Sequence, residues 1–231
     1  GYKKMAALTL PNYRVEDLEG HAVEAKIEDL GANFEYDLPK DKFRQARIAR
    51  QVRVTVPVHL APLSWTTFQL LEGEQEHRDG IYQNGVIDTP FVTVSVDDTI
   101  TVYDKTTHEA YEDVIRFEDR GDIGNEYIYF QPKGTEPIYA ELKGCEVLEN
   151  TARFAKILLK HELTIPVSAD EKLDAEQRGI IEFMTREAGR SEELTTLPME
   201  TEMTVFVDNP QIRFKTRFTN TAKDHRIRLL V

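Results

Sequence analysis

The sequence holds a single cysteine, Cys145, so no disulfide can form within the chain. That excludes a small disulfide-stapled fold and fits a reducing compartment. Serine is scarce: Ser64, Ser95, Ser168 and Ser191 are the full set, and none stands in a Gly-x-Ser-x-Gly elbow. The six histidines, His21, His59, His77, His108, His161 and His225, never fall three or four residues apart. No His-Glu-x-x-His occurs, so the chain carries no sequence signature of a metal site. No run approaches the ~20 apolar residues of a membrane span. No Asn-x-Ser/Thr sequon and no secretory leader is visible. Long helical periodicity is nearly absent as well. Only Leu71–His77 and Asp170–Gln177 read as short helices, and both are polar enough to be ordered loops.

Bases are outnumbered, with 29 Lys and Arg against 41 Asp and Glu, a net charge of −12. This opposes binding to nucleic acid or to an anionic membrane, whose phosphates are met chiefly by lysine and arginine. A neutral ligand is compatible with it. A chain of 231 residues is long enough to bury roughly 70% of its unfolded surface.

What is present is a period of two. Val52, Val54, Val56, Val58 and Leu60 alternate with polar residues, as do Val92, Val94 and Val96, and Ile212, Phe214 and Phe218. Such alternation marks strands with one face on a core and the other in water, the habit of antiparallel sheets. Further strands are expected at Met5–Leu10, Ala22–Glu28, Thr66–Leu71, Thr99–Tyr103, Tyr111–Phe117, Phe154–Ile165, Gly179–Arg186, Met199–Val207 and His225–Val231. Asp97-Asp98 separates two of the β runs as a hairpin turn. The charged stretch Glu72–Gly80 has two glycines and lacks core residues, as a boundary does. The expected class is all-β, with antiparallel sandwiches: a small one over residues 1–78, and part of a larger one over 79–231. The chain opens Gly1-Tyr2-Lys3 without methionine and closes on the apolar run Leu229-Leu230-Val231, from which an excised fragment is expected.

Arg116–Pro132 reads as a strand, an acidic glycine-bearing loop, and an aromatic strand stopped by proline. In that second strand Tyr127 and Tyr129 share a face, where a ring could stack on a sugar and a hydroxyl could meet its oxygens. The plainer alternative is that this face packs in the core. Glu118, Asp119 and Asp122 cluster along the same stretch, and Asp97 adjoins Asp98. Glycosidases use two carboxyls, but neighbours on one loop repel and turn to water, so no catalytic pair is assigned. Gly121-x-x-Gly124 is too short for a nucleotide fingerprint and leads into a strand. Asp224-His225 is read as a turn and the start of a strand whose arginines, Arg226 and Arg228, face solvent or pair with acids, in preference to a triad fragment. Cys145 is expected to be a half-buried strand residue.

Four segments, in order, carry a family resemblance. They are Ile27–Pro39 with Phe43-Arg44 and Ala49–Val54; Phe91–Val94 leading to Ile100–Lys105; Phe117–Pro132; and Asp208-Asn209 with Lys223–Leu230. Together they resemble the β-rich C-terminal half of bacterial family 38 glycoside hydrolases, the α-mannosidases, over nearly the whole chain. The resemblance implies an N-terminal catalytic domain and a helical bundle elsewhere in the polypeptide. It places there an aspartate nucleophile, an acid/base aspartate, and a zinc held by two His and two Asp. None of these motifs has a counterpart here, so this chain is expected to hold no catalytic residue, no metal and no cofactor, and to be inactive alone. The expected role is non-catalytic: to pack on the catalytic domain of a retaining zinc-dependent exo-α-mannosidase and line its pocket. Tyr127, in Gly124-Asn125-Glu126-Tyr127, is the residue that the resemblance places against the mannoside, with Asp122 as a loop neighbour and Tyr129 as the alternative. The expected location is the bacterial cytoplasm, with no membrane or nucleic acid as partner; a homo-oligomer is left open. The rival readings are a stand-alone carbohydrate-binding module and an immunoglobulin-like interaction domain.

Overall fold

The structure, a computed structural model, describes residues 3–4, 7–76 and 78–231. Strands take up 49% of the described residues and helices 5%. The fold is all-β, as the period of two requires. Two compact units divide the chain, residues 1–77 and 78–231.

The first unit contains β1 (Tyr13–Glu16), β2 (Ala22–Val23), β3 (Lys26–Asp37), β4 (Gln45–Thr55) and β5 (Gln69–Glu72). β1 lies between β2 and β5 in an antiparallel three-stranded sheet. β3 and β4 form a separate antiparallel hairpin with a bulge at Leu30, where Gly31 takes φ +84° and donates its N–H to Asp29 Oδ1. Alternation from Val52 promised a strand through Leu60, but β4 stops at Thr55, because Pro57 has no N–H for a ladder. The run Ala22–Glu28 is divided between β2 and β3. Residues 5 and 6 of the expected strand Met5–Leu10 lie outside the described residues, and residues 7–10 are turn and irregular chain. Leu71–His77 is not a helix where described: β5 runs to Glu72 and residues 73–76 are irregular, while His77 lies outside the described residues.

The second unit contains β6 (Tyr82–Gln83), β7 (Val86–Asp88), β8 (Val92–Val96), β9 (Ile100–Asp104), β10 (Glu109–Tyr111), β11 (Arg116–Gly121), β12 (Ile138–Tyr139), β13 (Glu141–Asn150), β14 (Phe154–Pro166), helix α1 (Lys172–Arg178), a 3-10 turn (Phe183–Thr185), β15 (Leu194–Phe206), β16 (Ile212–Phe218) and β17 (His225–Leu230). Three antiparallel sheets result, ordered β10-β9-β8-β7-β6, β12-β11-β17 and β13-β14-β15-β16. They share one core. Ile87, Val94 and Ile100 come from the first sheet, Phe117 from the second, and Ile157, Leu159, Leu163, Leu197, Met199 and Met203 from the third. β14 alternates buried and wetter residues along most of its length, as a strand with one face on a core must.

The expected strand Tyr111–Phe117 is interrupted: β10 ends at Tyr111, and Asp113 and Ile115 adopt φ +53° and +63° before β11 begins. Gly179–Arg186 is not a strand either. Gly179 caps α1, its N–H donating to Ala175 O while the N–H of Ile180 donates to Gln177 O, and Phe183–Thr185 winds as the 3-10 turn. Cys145 is exposed and not half-buried, because β13 is an edge strand with water on most of both faces.

Candidate functional site

Three connections meet at one end of the second unit. They are residues 122–137 between β11 and β12, 167–193 between β14 and β15, and 219–224 before β17. The first carries the sequence-expected residues. It is not an aromatic strand. Asn125 Oδ1 accepts the N–H groups of Tyr127 and Ile128, each at 2.9 Å, and the Asn125 N–H donates to Ile128 O. The chain therefore doubles back within four residues. Gly124 makes this fold-back feasible, since a Cβ there would sit 1.8 Å from Ile128 O. Tyr127 and Tyr129 consequently part company. Tyr127 stands at the tip, 92% exposed. Tyr129 lies half-buried, with the Arg226 guanidinium 3.7 Å over its ring and its hydroxyl donating to Gln131 Oε1.

The tip rests on a fixed base. Asp122 Oδ1 accepts the N–H of Gly124 (2.9 Å) and of Phe130 (3.1 Å). Arg186, buried, donates Nη1 to the carbonyls of Ile123 (2.5 Å) and Gly124 (2.7 Å). Ile123 packs with Ala169, Leu173 and Ala188, and Phe130 sits edge-on to Phe183 at 5.8 Å. Asp122 donates its N–H to Asp224 O, and Asp224 Oδ2 accepts the Ala169 N–H. Asp224 holds φ +51°, a left-handed turn that aspartate tolerates better than most residues. A polar cleft of about 540 Å³ opens beside this base, lined among others by Asp122, Glu126, Gln177, Arg186, Asp224 and His225. Asp122 thus faces the cleft while also fastening its own loop, whereas Tyr127 points away into solvent.

Below the loop the two carboxylates expected at the surface are buried. Asp119 is fully enclosed on β11 and accepts from Arg190 Nη1 and His225 Nδ1, each at 2.6 Å. The other ring nitrogen of His225 meets Asn220 Oδ1 at 3.1 Å. Both imidazole nitrogens are occupied, and neither contacts a nucleophile. Asp224 does not orient His225; Asp119, 106 residues away, does. Glu118 projects from the opposite face of β11. It accepts from Arg120, from Arg228 and from the Tyr139 hydroxyl. The Arg120 guanidinium, aided by Arg228 and Tyr139, holds its carboxyl down to about 2 against the opposing effect of burial. Water was the expected setting for both acids. Burial won because each found partners: Glu118 is met by Arg120 of its own strand and by Arg228 of β17, and Asp119 by Arg190 of the 167–193 connection and His225 of β17, and only Arg120 is near in sequence. Arg186, Arg190 and Asn220 were likewise invisible in the sequence as site residues.

Among the described residues, Asp17, Glu19 and His21 form the one group of three candidate metal ligands. They sit on a turn of the first unit, where Asp17 is already engaged. Its Oδ1 accepts the N–H groups of Glu19 and His21, and its Oδ2 lies 3.0 Å from His21 Nδ1. This exposed turn, with one histidine, one aspartate and one glutamate, does not fit the two-His, two-Asp zinc site that the resemblance implies.

The chain is similar to known proteins along nearly its whole length. Residues 1–72 match the sequence profile of the glycosyl hydrolases family 38 C-terminal domain 1. The chain is 30% identical over 240 positions to a "Putative mannosylglycerate hydrolase" of Halalkalibacterium halodurans, covering 98% of this chain and 27% of that protein. The solved structure of an alpha-mannosidase from Enterococcus faecalis superposes with a TM-score of 0.83 at 34% identity, over 99% of this chain and 27% of the other. A second solved structure, of a glycosyl hydrolase family 38 protein from Enterococcus faecalis, gives 0.78 at 30% identity over 99% and 28%. The chain therefore spans about a quarter of the length of the relatives it matches; over nearly its whole length it is similar to glycoside hydrolase family 38 proteins, and its residues 1–72 to their C-terminal domain 1.

Proposed function

We propose that this chain is the non-catalytic β-sandwich region of a retaining, zinc-dependent exo-α-mannosidase, packing on a catalytic domain and lining its sugar pocket. One observation carries the reading: Tyr127 is held 92% exposed at the tip of a loop whose base is fastened by Arg186, Asp122 and Asp224. An outward phenol on a fixed backbone offers a ring to the C–H face of a sugar and a hydroxyl to its oxygens. Nucleophile, acid/base and zinc belong to the catalytic domain in this reading. The donors of this chain do not fit the metal, and its own role is to bind and orient. Asp122 is a second contact through the cleft that it lines. A carbohydrate-binding module would present a platform of neighbouring rings, but Tyr129 is covered by Arg226. The name of the Halalkalibacterium relative supports a second substrate, a mannoside whose aglycone carries a carboxylate. A cytoplasmic location is part of the proposal, supported by a lone exposed thiol. Among the described residues no helix is long and apolar enough to cross a membrane.

The test is hydrolysis of a chromogenic α-mannoside by the full-length gene product. Tyr127→Ala is expected to lower kcat/KM by about 10- to 100-fold, and Tyr127→Phe by less, as for loss of one contact to the sugar. Wild-type kinetics in Tyr127→Ala, or turnover by the 231-residue chain alone, refutes the reading.

A further inference from the structure

The outer face of the β12-β11-β17 sheet is unlike the rest of an acidic chain. Arg116, Glu118 and Arg120 share that face of β11 by alternation. Directly opposite, the register sets Arg228 and Tyr139 beside Glu118, and Arg226 beside Arg120. Four arginines therefore meet two acids: Glu118, shared by Arg120 and Arg228, and Asp113, 3.4 Å from Arg116. Arg226 has no ion pair among the described residues; its guanidinium lies on Tyr129 as that of Arg116 lies on Tyr139, at 3.7 and 3.6 Å. Like charges facing each other across a strand pair, as Arg120 and Arg226 do, are destabilising unless an anion is added. The rings of Tyr139 and Tyr129 and the Glu118 carboxylate hold these guanidiniums in place. The array extends about 13 Å along β11, wider than a single carboxylate. Fixed arginine and tyrosine side chains are the residues that dominate protein interfaces.

We propose that this sheet face docks on an acidic surface of the remaining polypeptide, which supplies the carboxylate that Arg226 lacks. The proposal rests on the reading of the chain as a support region, and it assigns the surface by which support is given. Phenylglyoxal labelling of the full-length gene product, mapped by peptide mass, tests it. The side chain of Arg178 is 83% exposed and that of Arg228 42%, a ratio of about two. Docking predicts that Arg228 reacts at least about tenfold more slowly than Arg178, because the reagent reaches it only when the interface opens. Arg226→Met keeps an apolar stem on Tyr129 and removes the charge. It is expected to bring the Arg228 rate to within about twofold of Arg178. A wild-type ratio near two overturns the proposal whether or not the variant folds. So does protection of Arg228 that arises only on adding glycerate, which would mark a small-anion site. Protection without mannoside hydrolysis would sink the catalytic reading and leave the docking face standing; hydrolysis without protection would do the reverse.

Discussion

Residues 1–77 and 78–231 are both built of antiparallel pairs, yet their side chains meet water very differently. In the first unit Val15 is the one buried apolar residue among those described, while Phe34, Leu38, Phe43, Leu63 and Trp65 are exposed. The long hairpin β3–β4 is held by cross-strand pairs such as Arg50 with Asp29 and Arg47 with Glu35. Exposed pairs of this kind contribute little, and a two-stranded ribbon is marginal in water. In the second unit a continuous core runs from Ile87 to Ala222 and even carboxylates are buried with partners. Similar local patterning therefore does not give similar stability. What separates the units is whether a second sheet lies over the apolar face.

That contrast predicts a steep gradient of mutational cost. Asp119→Ala strands Arg190 and His225 around an empty site and is expected to cost about 3–5 kcal/mol in urea unfolding. A loss under 1 kcal/mol would show that the buried pairing is not formed. Leu159→Ala, in the centre of the large core, should cost about 2–5 kcal/mol by cavity formation. Arg186→Met leaves the buried Ile123 carbonyl and the half-buried Gly124 carbonyl without this donor. About 1–3 kcal/mol of local stability is expected to go, read as faster amide exchange over 123–130. Leu63→Ala in the first unit should stay within about 0.5 kcal/mol when the chain is studied alone. A loss above 2 kcal/mol there would erase the distinction between the units.

Acid should act on the second unit first. Burial lowers the pKa of His161 below 6.5, so the unfolded chain binds the proton more readily and stability falls as pH drops below that value. Glu118 is depressed from 4.5 to about 2, so its contribution is complete above 4.5 and is lost on the way down to about 2. Unfolding titrations of His161→Gln and Glu118→Gln should each lack the corresponding slope; unchanged slopes would exclude these groups.

Strands were legible wherever a single face is buried. Val92–Val96, Phe154–Ile165 and Ile212–Phe218 emerge almost at their observed bounds, because alternation and burial are the same fact there. The turn-and-strand reading of Asp224-His225, with Arg228 paired to an acid, also matches the structure. Aromatic alternation over Tyr127–Phe130 does not make a strand, because Asn125 and Gly124 together turn the chain back. The base of the loop was beyond reach. Arg186 lies more than sixty residues from Ile123 and Gly124, and Arg190 as far from Asp119, and no local pattern encodes such a meeting.

The close approach of Gly124 to Ile128 O has a consequence for substitution. The contour of the fingertip is set by the Gly124 backbone and the side chains of Asn125, Asp122 and Arg186, so the residue displayed at position 127 can be exchanged without reshaping its mount. Any side chain at position 124 would abolish the mount altogether.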